Sequence, residues 1–469
     1  MLKLSQPSRR LRARLLAVVI AATALAAVCA QPAGAAASVL YVDKNNPSCS
    51  DGGSGTSSVP FCTIGKGASV ALSGQTVQVA SGTYSELVTV GHSGSAGSPI
   101  VLTAAPGDSV TVTGMANGFR VSGKSYITVN GFTVRDTTSY GIYVTGGSSN
   151  VTVSGNTVRD TTSYGIHLKD SSNVTVSGND VSGAGQQVSG YTKYGIKFAN
   201  STSSLVSGNV SHDNSEAGVF LDGTTSGVKV TGNRTSGNAR GYTRAAPGID
   251  VRGHHNTIDR NVSHDNEDSG LQFYSGSHDN LVVDNLSYRN GDHGIDDLNS
   301  TGQRIISNTV YKNVTAGINV EGTSPGATVE NNIAVDNGIN SPRTKGNIRV
   351  DSNSTSGSTV DFNLVYLSVS DQVMYVWGST KYTSLAAFQA TGQEAHGVQA
   401  DPQWVAAGSG NFHLESDSPA VDSANSGVSG ETSTDLEGNG RVDVPSTPNT
   451  GAGPRSYDDR GAFELQSVA

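Results

Sequence analysis

The stretch Glu267 to Asp297, EDSGLQFYSGSHDNLVVDNLSYRNGDHGIDD, decides how this chain folds. It states one phrase twice, Ser269-Gly270-Leu271-Gln272-Phe273 and His293-Gly294-Ile295-Asp296-Asp297, with the glycines 24 residues apart. An aspartate stands two residues before each glycine, Asp268 and Asp292. If the chain coils with that period, these aspartates stack, and Asp296 and Asp297 lie a short step away. Carboxylates so gathered repel one another unless protons or a cation sit among them.

The phrase recurs on both sides of this stretch. Glycine-led strands begin at Gly118, Gly141, Gly165, Gly195, Gly218, Gly248, Gly270, Gly294 and Gly317, spaced by 22 to 24 residues, with two spacings of 30. After each glycine, apolar and variable residues alternate with the period of two of a strand. A second recurrence follows roughly fourteen residues later, and its asparagines are Asn156, Asn179, Asn209, Asn233, Asn261, Asn285 and Asn308. Such a column reads as an amide ladder within turns. Units this short, with several strand-like runs and no helical period, are coils of a parallel β-helix. The regular leucines of a leucine-rich repeat are absent, and a propeller blade needs roughly 40–50 residues. The expected fold is all-β: a right-handed parallel β-helix from about Gln75 to Leu367, with the Gly-Ile strands in one sheet.

Outside the repeat the chain divides readily. Residues 1–37 read as a secretory signal, with Arg9, Arg10, Arg12 and Arg14 before the apolar run Leu15 to Ala27. Residues 38–115 read as an N-terminal lead-in with the first coils, 116–369 as the repeats, and 370–469 as a C-terminal cap over the open end. The 30-residue spacings place insertions at Gly183 to Thr192 and Asn238 to Ala246, on one corner, as groove walls. Cys49 and Cys62 are expected to form a disulfide, as befits a secreted chain. Loss of Lys3 and the four arginines with the signal takes the net charge from −9 to −14. That surface argues against nucleic acid or an anionic membrane as partner. Glycine is 58 of 469 residues and only 15% are charged, a composition that would suggest disorder were it not for the period. A secreted, extracellular monomer is expected.

Repeat register turns sequence into side-chain columns. Two residues before the strand glycine stand Ser139, Ser163, Lys193, Glu216, Ala246, Asp268, Asp292 and Thr315. Two residues after it stand Tyr143, His167, Lys197, Phe220, Asp250, Gln272, Asp296 and Asn319. The next coil, Gly346-Asn347-Ile348-Arg349-Val350, adds Lys345 and Arg349. A solvated polar face explains any one of these residues. Acids on adjacent coils, roughly 4.8 Å apart, need a further explanation.

Asp268 with Asp292-His293-Gly294-Ile295-Asp296 resembles the calcium site of family nine pectate lyases, within the wider pectate-lyase-like superfamily. There an aspartate on one coil meets an Asp-Asp-Gly-X-Asp run on the next. The resemblance implies a Ca2+ site at Asp268, Asp292 and Asp296. His293 takes the fourth place, and Asp297 is expected to compensate. It also implies β-elimination on an acidic polysaccharide; from the register alone, the column residues Lys197, Asp250, Gln272 and Asn319 are expected to bind that substrate. The family's lysine base falls at Asn319, so Arg349 is the expected substitute, with Lys345 near it. His293 beside Asp292 is an alternative acid or base, in a metal-independent lyase or a uronan C5-epimerase. The same acids would also suit a β-helix glycoside hydrolase, or structural calcium in a non-catalytic carbohydrate-binding solenoid.

Overall fold

A computed structural model describes residues 39–185, 193–239 and 246–466 of the 469. The expected signal and most of the two insertions, at 186–192 and 240–245, lie outside these described residues.

The repeat is a right-handed parallel β-solenoid of about 12 turns. Each coil contributes three strands: Leu271–Phe273, Leu281–Val283 and Leu286–Tyr288 form one such set. The first strands of successive coils pair in parallel, and the predicted register holds throughout. Tyr143 pairs with His167, Lys197 with Phe220, Phe220 with Asp250, Asp250 with Gln272, Gln272 with Asp296, Asp296 with Asn319, and Asn319 with Arg349. The sheet begins with Val39–Val42, which pairs with Thr76–Val79, and reaches Tyr375–Gly378.

Alternation builds the core. Ile249, Val251, Leu271, Phe273, Ile295, Ile318 and Val320 are fully buried in one cluster that runs through the solenoid. Burying one such side chain contributes roughly 1.5–3 kcal/mol, and stacking repeats that gain coil after coil. The strand glycines permit close coil-to-coil approach. A Cβ at Gly270 would meet Ser287 Oγ head-on and stand 2.7 Å from Asn290 Nδ2.

Two asparagine ladders hold the turns. In the expected one, each Asn156, Asn179, Asn209, Asn233, Asn261, Asn285 and Asn308 Nδ2 donates to the next Oδ1 at 2.9–3.0 Å, and Asn332 and Asn363 continue the series. It ends on Glu394, which accepts from Asn363 at 2.8 Å. The residue before each ladder asparagine is left-handed. Gly155, Gly178 and Gly208 serve in the early coils, and Arg260, Asp284 and Ser307 adopt the same conformation later. The second ladder, Asn214, Asn238, Asn266, Asn290, Asn313, Asn337 and Asn347, braces the turn just before the groove strands. It explains the asparagine at position 347, where earlier coils carry glycine.

At the N-terminal end, helix Ile64–Val70 buries Ile64 and Ala68 against the first coils, and Cys49 and Cys62 are bonded. At the other end Phe388 stacks on Tyr375, with ring centroids 4.2 Å apart, and covers the last coil. The rest of the C-terminal segment runs back along the third-strand sheet rather than over the end. Phe412, Leu414, Val421 and Phe463 pack there on Leu286, Tyr288, Ile333 and Leu364. Arg441 anchors it in a buried pairing with Asp284, Glu431 and Glu464.

Candidate active site

Two turns, each held by the second ladder, carry the acids. The Asp292 amide donates to the Asp268 carbonyl at 3.2 Å, and the Thr315 amide to the Asp292 carbonyl at 3.1 Å. Asp268, Asp292, Thr315 and Lys345 therefore follow one another along an edge, the last set by the Gly317 amide on the Gly346 carbonyl at 3.1 Å. Asp268 and Asp292 open into a cavity of about 300 Å³, lined also by Glu267, Thr315, Pro342 and Arg343. Asp292 accepts from Thr315 Oγ1 and is capped by Arg343 Nη2.

His293 lies between the two columns. Its Nδ1 is 3.4 Å from Asp292 Oδ2 and 3.6 Å from Asp296 Oδ1, and its Nε2 is 2.8 Å from Thr344 Oγ1. Asp296 faces out but is only 3% exposed. Asn319 Nδ2 donates to it at 2.9 Å and Gln272 Nε2 at 3.3 Å. Asn319 Oδ1 in turn accepts from Arg349 at 2.6 Å, and Arg349 pairs with Glu321 at 2.7 Å. Asp268, Gln272, Asp292, His293, Asp296, Asn319 and Arg349 are thus one continuous group.

The charge states follow from burial. Burial, then Asp292, pushes Asp268 up to about 8. Burial also raises Asp292, but His293, Arg343 and Thr315 outweigh it and hold this carboxylate below its ordinary range. The pair therefore joins a protonated acid to an ionised base. Burial, then Glu321, pushes Asp296 up to about 8. Burial brings His293 down to about 4, so the ring is neutral at physiological pH.

Other expected site residues stand elsewhere. Asp297 is a correction: it cannot join the groove. Alternation turns Asp296 outward and Asp297 inward, in register with the core residues Phe273 and Val320. Its carboxyl accepts from Ser300, and burial raises it to about 8. Lys197 and Asp250 share the outward column but serve other partners. Lys197 lies 4.6 Å over the Tyr164 ring and Asp250 pairs with Arg252 at 2.9 Å. Lys345 makes no side-chain hydrogen bond or ion pair among the described residues.

Glu321, Arg343 and Thr344 are additions that the sequence reading missed. Glu321 was legible, because alternation carries the outward column two residues past Asn319. Arg343 and Thr344 come from an aperiodic turn and leave no such signal.

Near this groove, among the described residues, His293, Asp296 and Glu321 bring donor atoms close enough together for one divalent cation, and Asp268 and Asp292 lie outside that set. Asp268, Asp292, Asp296 and Glu321 offer hard oxygens of the kind calcium takes. One atom each of His293, Asp296 and Glu321 lies within 4.8 Å of the other two. His293 Nδ1 is buried without a hydrogen-bond partner, which leaves a donor position open there.

The chain belongs to the family described as the right handed beta helix region, whose model matches residues 107–244 and 241–365. It is 27% identical over 464 residues to the uncharacterized protein YwoF of Bacillus subtilis (strain 168), covering 81% of this chain and 92% of that one. Among solved structures it is similar to pectate lyase Pel9A, with a TM-score of 0.57 and 16% identity over 92% of this chain and 97% of that one. It is also similar to XylC in complex with xylose, with a TM-score of 0.52 and 12% identity over 91% and 98% of the two chains. At these identities the structural likeness concerns the fold.

Proposed function

We propose that the protein is a secreted polysaccharide lyase that cleaves a uronic-acid-containing, pectate-like chain by calcium-assisted β-elimination. The likeness to a pectate lyase along almost the whole chain supports a polysaccharide as the substrate class. One observation carries the finer reading: Arg343 ends on Asp292, and Arg349 joins Asp296 through Asn319, so acids and cations share one face. An acidic sugar needs both, cations for its carboxylate and acids that gather a divalent ion.

Asp268, Asp292 and Asp296 would hold calcium, with Glu321 beside them and Asp297 excluded by its inward position. When bound, the ion would neutralise the C6 carboxylate of the sugar and stabilise enolate-like charge. Arg349 presents its guanidinium to the groove beside Glu321 and Asn319, so we read Arg349 as a binder of substrate carboxylate. His293 is neutral, and its ring lies between the acids with Nδ1 toward them. We assign it the removal of the C5 proton. The C5–H electron pair then forms the C4–C5 double bond as the C4–O4 bond breaks, and O4 leaves as the alcohol with a proton donated by Lys345. Lys345, on the same edge, is the available cation for that oxygen. His293 is 1% exposed; lifting the 341–344 turn takes Thr344 off Nε2 and would present that nitrogen as the base, with Nδ1 facing Asp292 and Asp296.

Glycoside hydrolysis is favoured by one observation, the raised Asp268 beside the lowered Asp292, which is an acid and base pair in waiting. A panel of polygalacturonate, alginate and glucuronan, with and without EDTA, separates the readings. Ultraviolet absorbance of an unsaturated uronate, lost on chelation, supports the lyase. New reducing ends without absorbance support the hydrolase, and no product from any substrate supports a binding solenoid.

A further inference from the structure

A second cluster of metal-binding side chains lies on the turn that follows the groove strands, whereas the acids lie on the turn that precedes them. His254 and His255 follow Ile249–Val251, and His278 and Asp279 follow Leu271–Phe273 one coil later. The His254 and His278 backbones bridge in parallel, within a column that continues to Ser226 on one side and Thr301 on the other. Among the described residues, only these two coils place imidazoles there. The next position is left-handed in every coil. Gly227 and Gly302 occupy it in the flanking coils, but here it holds His255 at φ 53° and Asp279 at φ 54°. A side chain in that conformation carries strain that glycine avoids.

The backbone beneath is fixed. The Asn256 amide donates to Asn280 Oδ1 at 2.9 Å, and the Asn280 amide to Gln303 Oε1 at 3.0 Å. On this frame the His254 and His278 rings stack 4.6 Å apart, inclined by 4°, and the His255 ring stands across both at 85° and 86°. One nitrogen from each of the three rings lies within 4.8 Å of the others. The His254 and His255 Nδ1 atoms are already 2.8 Å apart. Asp279 Oδ2 is 2.9 Å from His278 Nδ1 and 3.8 Å from His255 Nε2. Three ligand nitrogens around a tetrahedral zinc ion lie ~3.3 Å apart, which modest ring rotations would reach. His255 is exposed and the other two are partly so, leaving an ion a path from solvent.

We propose that His254, His255 and His278 form a surface site for a divalent transition-metal ion of the zinc class, with Asp279 as fourth donor or as the acceptor that orients His278. Imidazole nitrogens select such ions over calcium, so the site is chemically distinct from the carboxylate cluster. The ion staples together the two coils that carry Asp250 and Gln272 on their groove faces.

Zinc titration calorimetry on the full chain, stripped with EDTA, free of any polyhistidine tag and held in excess calcium, tests this. One equivalent of zinc should bind. Loss of even outer partners weakens metal sites about 10–100-fold, so His278→Ala should cost at least that much and Asp296→Asn nothing. His255→Gln, at an exposed position, provides the same test should His278→Ala fail to fold. Absence of binding up to millimolar zinc, or equal affinity in the folded histidine variants, overturns the proposal. Zinc binding abolished by Asp296→Asn overturns it too, by locating the ion at His293, Asp296 and Glu321.

Discussion

Arg343 ends on the carboxylate of Asp292, 51 residues earlier in the chain, and the adjoining Thr344 ends on His293. One turn therefore covers both the acid proposed to bind calcium and the proposed base. The Arg343 side chain remains 62% exposed, so it can leave without breaching the core. Its guanidinium competes with any cation for Asp292. Calcium should bind Arg343→Ala several-fold more tightly than the parent, with little change in melting temperature. Calorimetry in both proteins checks this, and equal or weaker binding to the variant would show that Asp292 is not a ligand.

Stability should fall as pH rises. Asp268, Asp296 and Asp297 sit at about 8 in the fold and near 4 when unfolded. The folded state thus holds protons that the unfolded state has released, and the stability this gives is lost as pH climbs through about 8. His293, at about 4 in the fold, and His167, at about 3, act in the opposite sense, and their effect is complete by about pH 6.5. Calcium should raise the melting temperature clearly above pH 8 and hardly at pH 5, where protons already neutralise the acids. Thermal scans across pH, with calcium or EDTA, read this directly.

Asp297 is a separate test of inside and outside. Its carboxyl is fully buried, and Oδ2 has no hydrogen-bond partner. Asp297→Asn should leave calcium affinity unchanged and raise stability above pH 8 by a few kcal/mol, since ionisation there opposes desolvation. Denaturant titration at pH 6 and pH 9 measures the difference. A loss of calcium binding in this variant would return Asp297 to the ligand set.

Ile295 tests the core. It is wholly buried between Leu271 and Ile318. Ile295→Val should cost about 0.5–1.5 kcal/mol, whereas Ile295→Asp would bury an unpaired charge and prevent folding. Far-ultraviolet circular dichroism with thermal melting distinguishes the two.

The fold was legible because the repeat supplies its own alignment. Gly270 and Gly294 define a register that carries Gln272 onto Asp296 and Asn319 onto Arg349. The site was legible as far as that register runs. Asp297 was misjudged because two adjacent acids read as one cluster, although a strand sends neighbours to opposite faces. Arg343 and Thr344 were invisible because their turn has no period. The second ladder escaped because Asn266 and Asn290 sit among many polar turn residues, and only a backbone shows which amides align.

The most direct test of the catalytic reading compares the parent and Asp292→Ala on whichever uronan the parent cleaves, with unsaturated product followed under saturating substrate and calcium. The account predicts near-normal melting and loss of nearly all product formation in the variant, with a similar loss in His293→Gln. Full turnover per folded molecule in Asp292→Ala, with only the melting temperature reduced, would contradict it and leave these acids a structural role alone.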